Sequence, residues 1–283
     1  MTHPGQLLKE NNLYAGKELG QNFLSNPGTA EMIVKKTGIT KDSHVLEIGS
    51  GLGALTCPIA EQAGIVTAVE KDSRLISLLK QELESRGLGH VNVINMDILK
   101  VDIAGIAGNK KLVVIGNLPY SISSQILFRL IENRVYIKTA FLMFQKELAD
   151  RIIAPSGGRA YSRLSAVTRY AADIHLVAHI GPAAFFPKPE VDSTILRFDF
   201  FEEKGFDAEQ EKLLFNVIKA AFSKRRKSLK NAMTGGEFDF EKSHVAQALA
   251  AAGIDARRRA ETLTVEEFKS LTREMWKQHH KEI

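Results

Sequence analysis

Cysteine is almost absent from the 283-residue chain, which contains only Cys57. No intrachain disulfide can form and no cysteine-based metal site is possible, a pattern that suits a reducing compartment. No apolar run approaches the ~20 residues needed to cross a bilayer, so no membrane partner is expected. The N-terminal stretch MTHPGQLLKENNLYAGKELGQ lacks a secretory apolar core and also lacks the Arg-rich, acid-poor composition of a transit peptide. A cytoplasmic protein is expected. Internal repeats and low-complexity tracts are missing as well. His279 and His280 have no carboxylate at ligand spacing, so they read as a solvated tail and no metal is expected.

What is present is ordinary for a globular protein: 44% hydrophobic and 25% charged residues. Lys and Arg number 38 against 33 Asp and Glu, giving a net charge of +5. That excess suits a polyanion partner without requiring one. The length favours one large and one small domain.

Short apolar runs alternate with helical patterns. The runs are HVLEIG (44–49), IVTAVE (65–70), VNVINMD (91–97), KLVVIGN (111–117), TAFLMF (139–144), IHLVAHI (174–180) and STILRFDF (193–200). Between two of them SRLISLLKQELESRG carries Leu75, Leu78, Leu79 and Leu83 at helical spacing, with Asp72 or Ser73 as its N-cap. Strands alternating with helices predict an α/β fold with a doubly wound, mostly parallel sheet. After about residue 200 only helical periods remain. A Rossmann-like domain over 1–200 and a small helical domain over 201–283 are therefore expected, joined through FEEKGFD.

The first strand runs into EIGSGLGALT, where Gly49, Gly51 and Gly53 permit a tight strand-to-helix turn and close approach of backbone to a ligand. Glu70 ends the second strand, where a carboxylate can accept both ribose hydroxyls. Asp97 ends the third, placed to accept an adenine amino group or to cap the next turn. A glycine loop followed by acidic ends on strands two and three is the pattern of a class I S-adenosylmethionine site.

The fourth run ends in NLPY. Methyl transfer to adenine N6 is hampered by delocalisation of the nitrogen lone pair into the ring. Hydrogen bonds from that amino group to the Asn117 side-chain oxygen and the Leu118 carbonyl favour a pyramidal nitrogen. Pro119 fixes the turn, and Tyr120 offers a stacking face for a base that has left its stack. The sulfonium is already activated, so placement and electrostatics carry the catalysis.

The segments GQNFL (20–24), LEIGSGLGALT (46–56), VEKD (69–72), NLPYSIS (117–123), FFPKPEVDST (185–194), FSKRRKSLKN (222–231) and RRAETLTVEEF (258–268) occur in this order. In this respect the chain resembles the ribosomal RNA adenine dimethylases over nearly its whole length. The resemblance implies S-adenosylmethionine as cofactor, contacted by Asn22, Leu24, Gly49, Gly51, Glu70, Asp97 and Asn117. On sequence alone Asn22 and Leu24 could equally belong to a capping turn before a helix near Pro27. It implies dimethylation of two adjacent adenosines near the 3′ end of small-subunit rRNA, within a precursor small ribosomal subunit; nothing in the sequence suggests an obligate dimer, and a monomer is expected. Phe185 is expected as a second aromatic wall opposite Tyr120, with Phe186 turned to the core. Ser50 stands where the family usually has proline, and Glu190 where lysine is common.

Two basic clusters accompany these motifs. SKRRKSLK holds Lys224, Arg225, Arg226, Lys227 and Lys230, which would be two-sided if helical; Arg257, Arg258 and Arg259 form the second. Each is either a solvated face or a clamp on rRNA phosphates, and Lys224, Arg225, Arg226, Lys227, Arg257 and Arg258 are the expected RNA contacts. Three alternatives stay open: a resistance-type methylase of large-subunit rRNA, an assembly factor that binds the small subunit without obligatory turnover, and, more distantly, a nicotinamide oxidoreductase.

Overall fold

A computed structural model describes residues 3–16, 18, 20–202, 205–224, 226–234 and 240–279. Arg225 and His280 lie outside them. The strands are β1 (Phe23–Leu24), β2 (His44–Ile48), β3 (Ile65–Glu70), β4 (Asn92–Asn95), β5 (Leu112–Asn117), β6 (Ile137–Gln145), β7 (Ala172–Ile180), β8 (Phe185–Phe186) and β9 (Ser193–Phe200). All seven apolar runs of the sequence form strands of one sheet, ordered β4-β3-β2-β5-β6-β9-β7. The five strands from β4 to β6 pair in parallel, and β9 joins β6 antiparallel. Central strands buried along nearly their whole length, as in β2, β5 and β6, are those covered on both faces.

The helix Ser73–Ser85 buries Leu75, Leu78, Leu79 and Leu83, and its cap is Asp72, whose side chain accepts from the Arg74 N–H. The helix Pro27–Thr37 is capped by Asn26. That frees the preceding GQNFL segment from a capping role.

The chain divides into two compact units, Met1–Ala149 with Asp173–Phe200, and Asp150–Ala172 with Phe201–Ile283. The boundary read from sequence placed 150–172 in the first; the structure groups it with the C-terminal helices. The reason is its aromatic and apolar face. Tyr161 packs against Phe222, and Tyr170 against Phe206 and Phe215, while Leu164, Ala166 and Val167 are buried along the helix Arg163–Ala171. Strand–helix alternation conceals this, because the helix sits between two strands of the sheet. No strand follows residue 200 among the described residues.

Candidate active site

The chain moves from β2 outward to β3 and β4, then returns to place β5 on the other side of β2. Loops leaving the carboxyl ends of β2 and β5 therefore diverge, and the crevice they open is where a doubly wound sheet holds its ligand. A cleft of about 1140 Å³, its mouth included, lies there. Gln21, Asn22, Leu24, Gly49, Gly51, Glu70, Asp97, Asn117, Leu118, Pro119 and Tyr120 all line it.

The loop after β2 is a run of left-handed glycines. Gly49 has φ +73° and Gly51 φ +54°, angles strained for any residue with a Cβ. A Cβ on Gly51 would also approach the Phe23 ring to 3.2 Å. The loop is pinned by Gly49 N–H donating to the Val69 carbonyl at 2.9 Å. Ser50 N–H donates to the same carbonyl at 3.3 Å, a bond that a proline at this position could not make.

Glu70 is 7% exposed. One carboxylate oxygen accepts from the Gly51 N–H and the other from the Asp72 N–H, both at 2.8 Å. Burial raises its pKa, opposed by these two backbone bonds. Each oxygen keeps a further lone pair, so the carboxylate can take one more donor at each. Asp97 caps the turn Ile98–Lys100 by accepting from the Leu99 N–H at 3.0 Å, and it also faces the cleft. Its other oxygen meets Lys71 Nζ at 2.9 Å, and that hydrogen bond lowers its pKa.

In the loop after β5, Asn117 Nδ2 donates to the Asn22 carbonyl at 2.8 Å. This fixes the amide's orientation, since its nitrogen is used and its oxygen is the end with no partner among the described residues. In the turn that follows, the Pro119 carbonyl accepts from the Ile122 N–H and the Tyr120 carbonyl from Ser123 Oγ. The Leu118 carbonyl accepts from no described residue. The structure thus leaves free the two acceptors that NLPY was expected to offer. The Leu118 side chain is buried in the core.

Phe185 departs from expectation. β8 pairs antiparallel with β1, matching Phe186 to Phe23 and Phe185 to Leu24. Alternation then sends Phe185, 4% exposed, into the core cluster with Leu24, Met143 and Ile195. Phe186 is the half-buried member, against His3 and the Phe23 cluster. Neither ring lines the cleft.

Three side chains of the site were not singled out in the sequence. Gln21 accepts from the Gly16 N–H at 2.7 Å and donates to Asp72 at 2.9 Å, tying the N-terminal segment to the residue that binds Glu70. Ser193 hydrogen-bonds the Tyr120 hydroxyl. Glu47 was visible as the one acid inside the apolar run HVLEIG. It is 1% exposed, with Oε2 lacking any hydrogen-bond partner. Burial pushes its carboxyl up to about 8, with the nearby Glu70 charge adding to the effect.

Glu47 carries a stability prediction. Its carboxyl stays protonated in the folded protein to about pH 8 but ionises from about 4.5 in the unfolded chain. Folding therefore takes up a proton between these values, and stability falls as pH rises through that window. Glu47→Gln is neutral throughout and removes this slope. The variant should match the wild type near pH 4 and exceed it by about 4–5 kcal/mol at pH 9 in denaturant titrations. An unchanged slope would contradict the assignment.

In the second unit, the basic run does not continue a helix. Lys224, Arg226 and Lys227 lie between the helices Ala208–Ala221 and Leu229–Met233, and Lys230 lies in the second of these. Lys224 Nζ donates to the Asn231 and Thr234 carbonyls at 3.4 and 3.1 Å, so it serves a helix end. Arg258 donates to the Thr262 carbonyl and pairs with Glu267, which makes it an internal tie. These two residues, expected to meet RNA, are occupied within their own unit. Arg226 and Lys227 are exposed, as is Arg257 beside Asp255.

The residues present fit an adenosyl cofactor. The glycine loop presents bare backbone to the cleft at φ values that residues with a Cβ rarely adopt, and Glu70 is an acceptor with capacity to spare at the mouth of that loop. No group of His, Cys, Asp and Glu that could hold a metal occurs among the described residues, and none of their helices is long and apolar enough to cross a membrane.

Residues 13–277 match the family model described as ribosomal RNA adenine dimethylase. The ribosomal RNA small subunit methyltransferase A of Desulforapulum autotrophicum is 53% identical over 282 residues, covering 100% of this chain and 99% of that protein. Among solved structures, a dimethyladenosine transferase from Plasmodium falciparum aligns with TM-score 0.78 at 28% identity, over 91% of this chain and 98% of its own. A 23S rRNA methyltransferase aligns with TM-score 0.66 at 25% identity, over 90% and 99% of the two chains. The match runs through the glycine loop, the NLPY turn and the C-terminal helices alike, and the chain, a class I S-adenosylmethionine-dependent methyltransferase with a helical second unit, belongs to the ribosomal RNA adenine dimethylase family.

Proposed function

We propose that the protein dimethylates the N6 amino groups of two adjacent adenosines near the 3′ end of small-subunit rRNA. The observation that carries this reading is the pair of free acceptors at one turn. The Asn117 amide is locked by Asn22 with its oxygen unpartnered, and the Leu118 carbonyl is the turn's unbonded one. Two acceptors match the two N–H bonds of an exocyclic adenine amine. Small-subunit rRNA is favoured as substrate by the 53% identical relative, whose name specifies that subunit.

S-adenosylmethionine, when bound, supplies a methyl group on a positively charged sulfur. The chain's own part is placement. Glu70 would hold the ribose hydroxyls and Asp97 the adenine amino group, with Gly49 and Gly51 against the amino-acid end. Asn117 and Leu118 hold the substrate amine by its hydrogens and keep its lone pair directed away from the ring, while Tyr120 presents a face to the base. Arg226 and Lys227 are exposed and would meet rRNA phosphates, and Arg257 would do so from its pairing with Asp255. A precursor small subunit as the physiological substrate, a monomeric enzyme and a cytoplasmic location complete this reading.

The test is transfer of label from S-adenosylmethionine to small subunits lacking the dimethyladenosines, run beside large subunits and naked rRNA. The reading predicts label in small subunits. Label in large subunits alone would overturn it.

A further inference from the structure

FFPKPEVDST carries, next to its last position, a serine that the reaction as derived does not use. Ser193 is fully buried, and its Oγ lies 2.8 Å from the Tyr120 hydroxyl, 73 residues away in sequence. It is the first residue of β9. Because β9 runs antiparallel to β6, its amino end reaches the edge of the sheet where β5 ends. Ser193 pairs with Gln145 across the ladder, and Lys146 N–H donates to the Asp192 carbonyl at 2.9 Å. The serine is thus anchored to the sheet through its ladder partner and its chain neighbour.

Tyr120 is held at both ends. Ser123 Oγ donates to its carbonyl at 3.1 Å, and Ser193 holds the far end of its side chain. Holding the phenol oxygen fixes the first side-chain torsion and with it the ring's position in the cleft, because that oxygen lies on the axis about which the ring turns. Burial raises the Tyr120 pKa, so the phenol remains a neutral partner for a neutral serine. The bond engages the rim of the ring and leaves its face open.

We infer that Ser193 is a positioning residue of the methyl-transfer site, setting through the Tyr120 hydroxyl the position of the ring on which the target adenine stacks. This rests on the reading of Tyr120 as the base's stacking face. The phenol–serine bond accordingly contributes to turnover on RNA and not to cofactor affinity.

The test is a double-mutant cycle on the full-length enzyme with small ribosomal subunits as substrate. Ser193→Ala and Tyr120→Phe each remove the bond from opposite sides. Each lowers kcat about five- to tenfold, the effect of one lost buried hydrogen bond, and the double variant is no worse than either single. Ser193→Thr, which keeps the hydroxyl, restores most of the rate. Cofactor affinity, read by calorimetry, is the same in all variants. Additive losses, or a Ser193→Ala loss mirrored in cofactor affinity, would overturn the inference and make the serine merely structural. Tyr120→Ala separates the two levels. If it leaves transfer unimpaired, the stacking reading itself fails; if it abolishes transfer while the cycle is additive, only the role of Ser193 fails.

Discussion

Asn117→Ala lowers kcat about a hundred- to a thousandfold, the scale on which a single preorganised hydrogen-bonding group acts at a reacting centre. The side chain does two jobs at once. Its nitrogen donates to the Asn22 carbonyl, and its oxygen is thereby committed to the cleft as an acceptor. Alanine removes the acceptor that holds the substrate amine and also orphans the Asn22 carbonyl, at a cost in stability of about 1 kcal/mol. Asn117→Asp separates these effects. It retains an acceptor but sets an acceptor against the Asn22 carbonyl, so it loosens the N-terminal segment as well as changing the charge at the amine. Single-turnover rates with saturating cofactor are the measurement, and a loss confined to KM for cofactor would contradict the assignment.

Glu70 carries the second large effect, and here binding is the readout. Its two oxygens accept from the backbone N–H groups of Gly51 and Asp72. Alanine leaves both donors buried without partners, each costing about 1–3 kcal/mol, and removes the charged acceptor for the ribose. Cofactor Kd should rise about a hundredfold or more, equivalent to ~2.7 kcal/mol, and the melting temperature should fall with it. Glutamine is nearly as damaging despite its matching shape. It has one acceptor oxygen for two backbone donors, and its NH2 must face one of them. Calorimetric titration of Glu70→Gln that returned wild-type affinity would remove Glu70 from the site.

Much of this was legible in the residues. Continuous apolar runs such as KLVVIGN can only be covered strands, and each found its place in the sheet. The leucines at 75, 78, 79 and 83 marked the buried face of their helix because a helix repeats every 3.6 residues. The glycine loop, Glu70, Asp97 and NLPY were readable because each follows a strand, and the carboxyl ends of parallel strands lie on one edge of the sheet.

What was not legible depends on tertiary partners. β1 and β8 are two residues each, too short for any period to register. Nothing in FFPKP says which phenylalanine faces the core until Phe23 and Leu24 are set opposite it. Lys224 and Arg258 look like free cations in sequence, yet their nearest acceptors are helix carbonyls and Glu267 brought to them by folding. The helix Arg163–Ala171 has the pattern of any α/β crossover, and its partners Phe206 and Phe215 lie some forty positions on. Gln21 and Ser193 have neutral side chains whose roles exist only through Asp72 and Tyr120.

The measurement that most directly tests the account is nucleoside analysis of small-subunit rRNA after reaction with the wild-type enzyme and with Asn117→Ala. The account predicts N6,N6-dimethyladenosine at both of two adjacent positions near the 3′ end with the wild type, and unmodified adenosine with the variant. Methyl groups at another atom of the base, or dimethyladenosine formed equally well by Asn117→Ala, would contradict it.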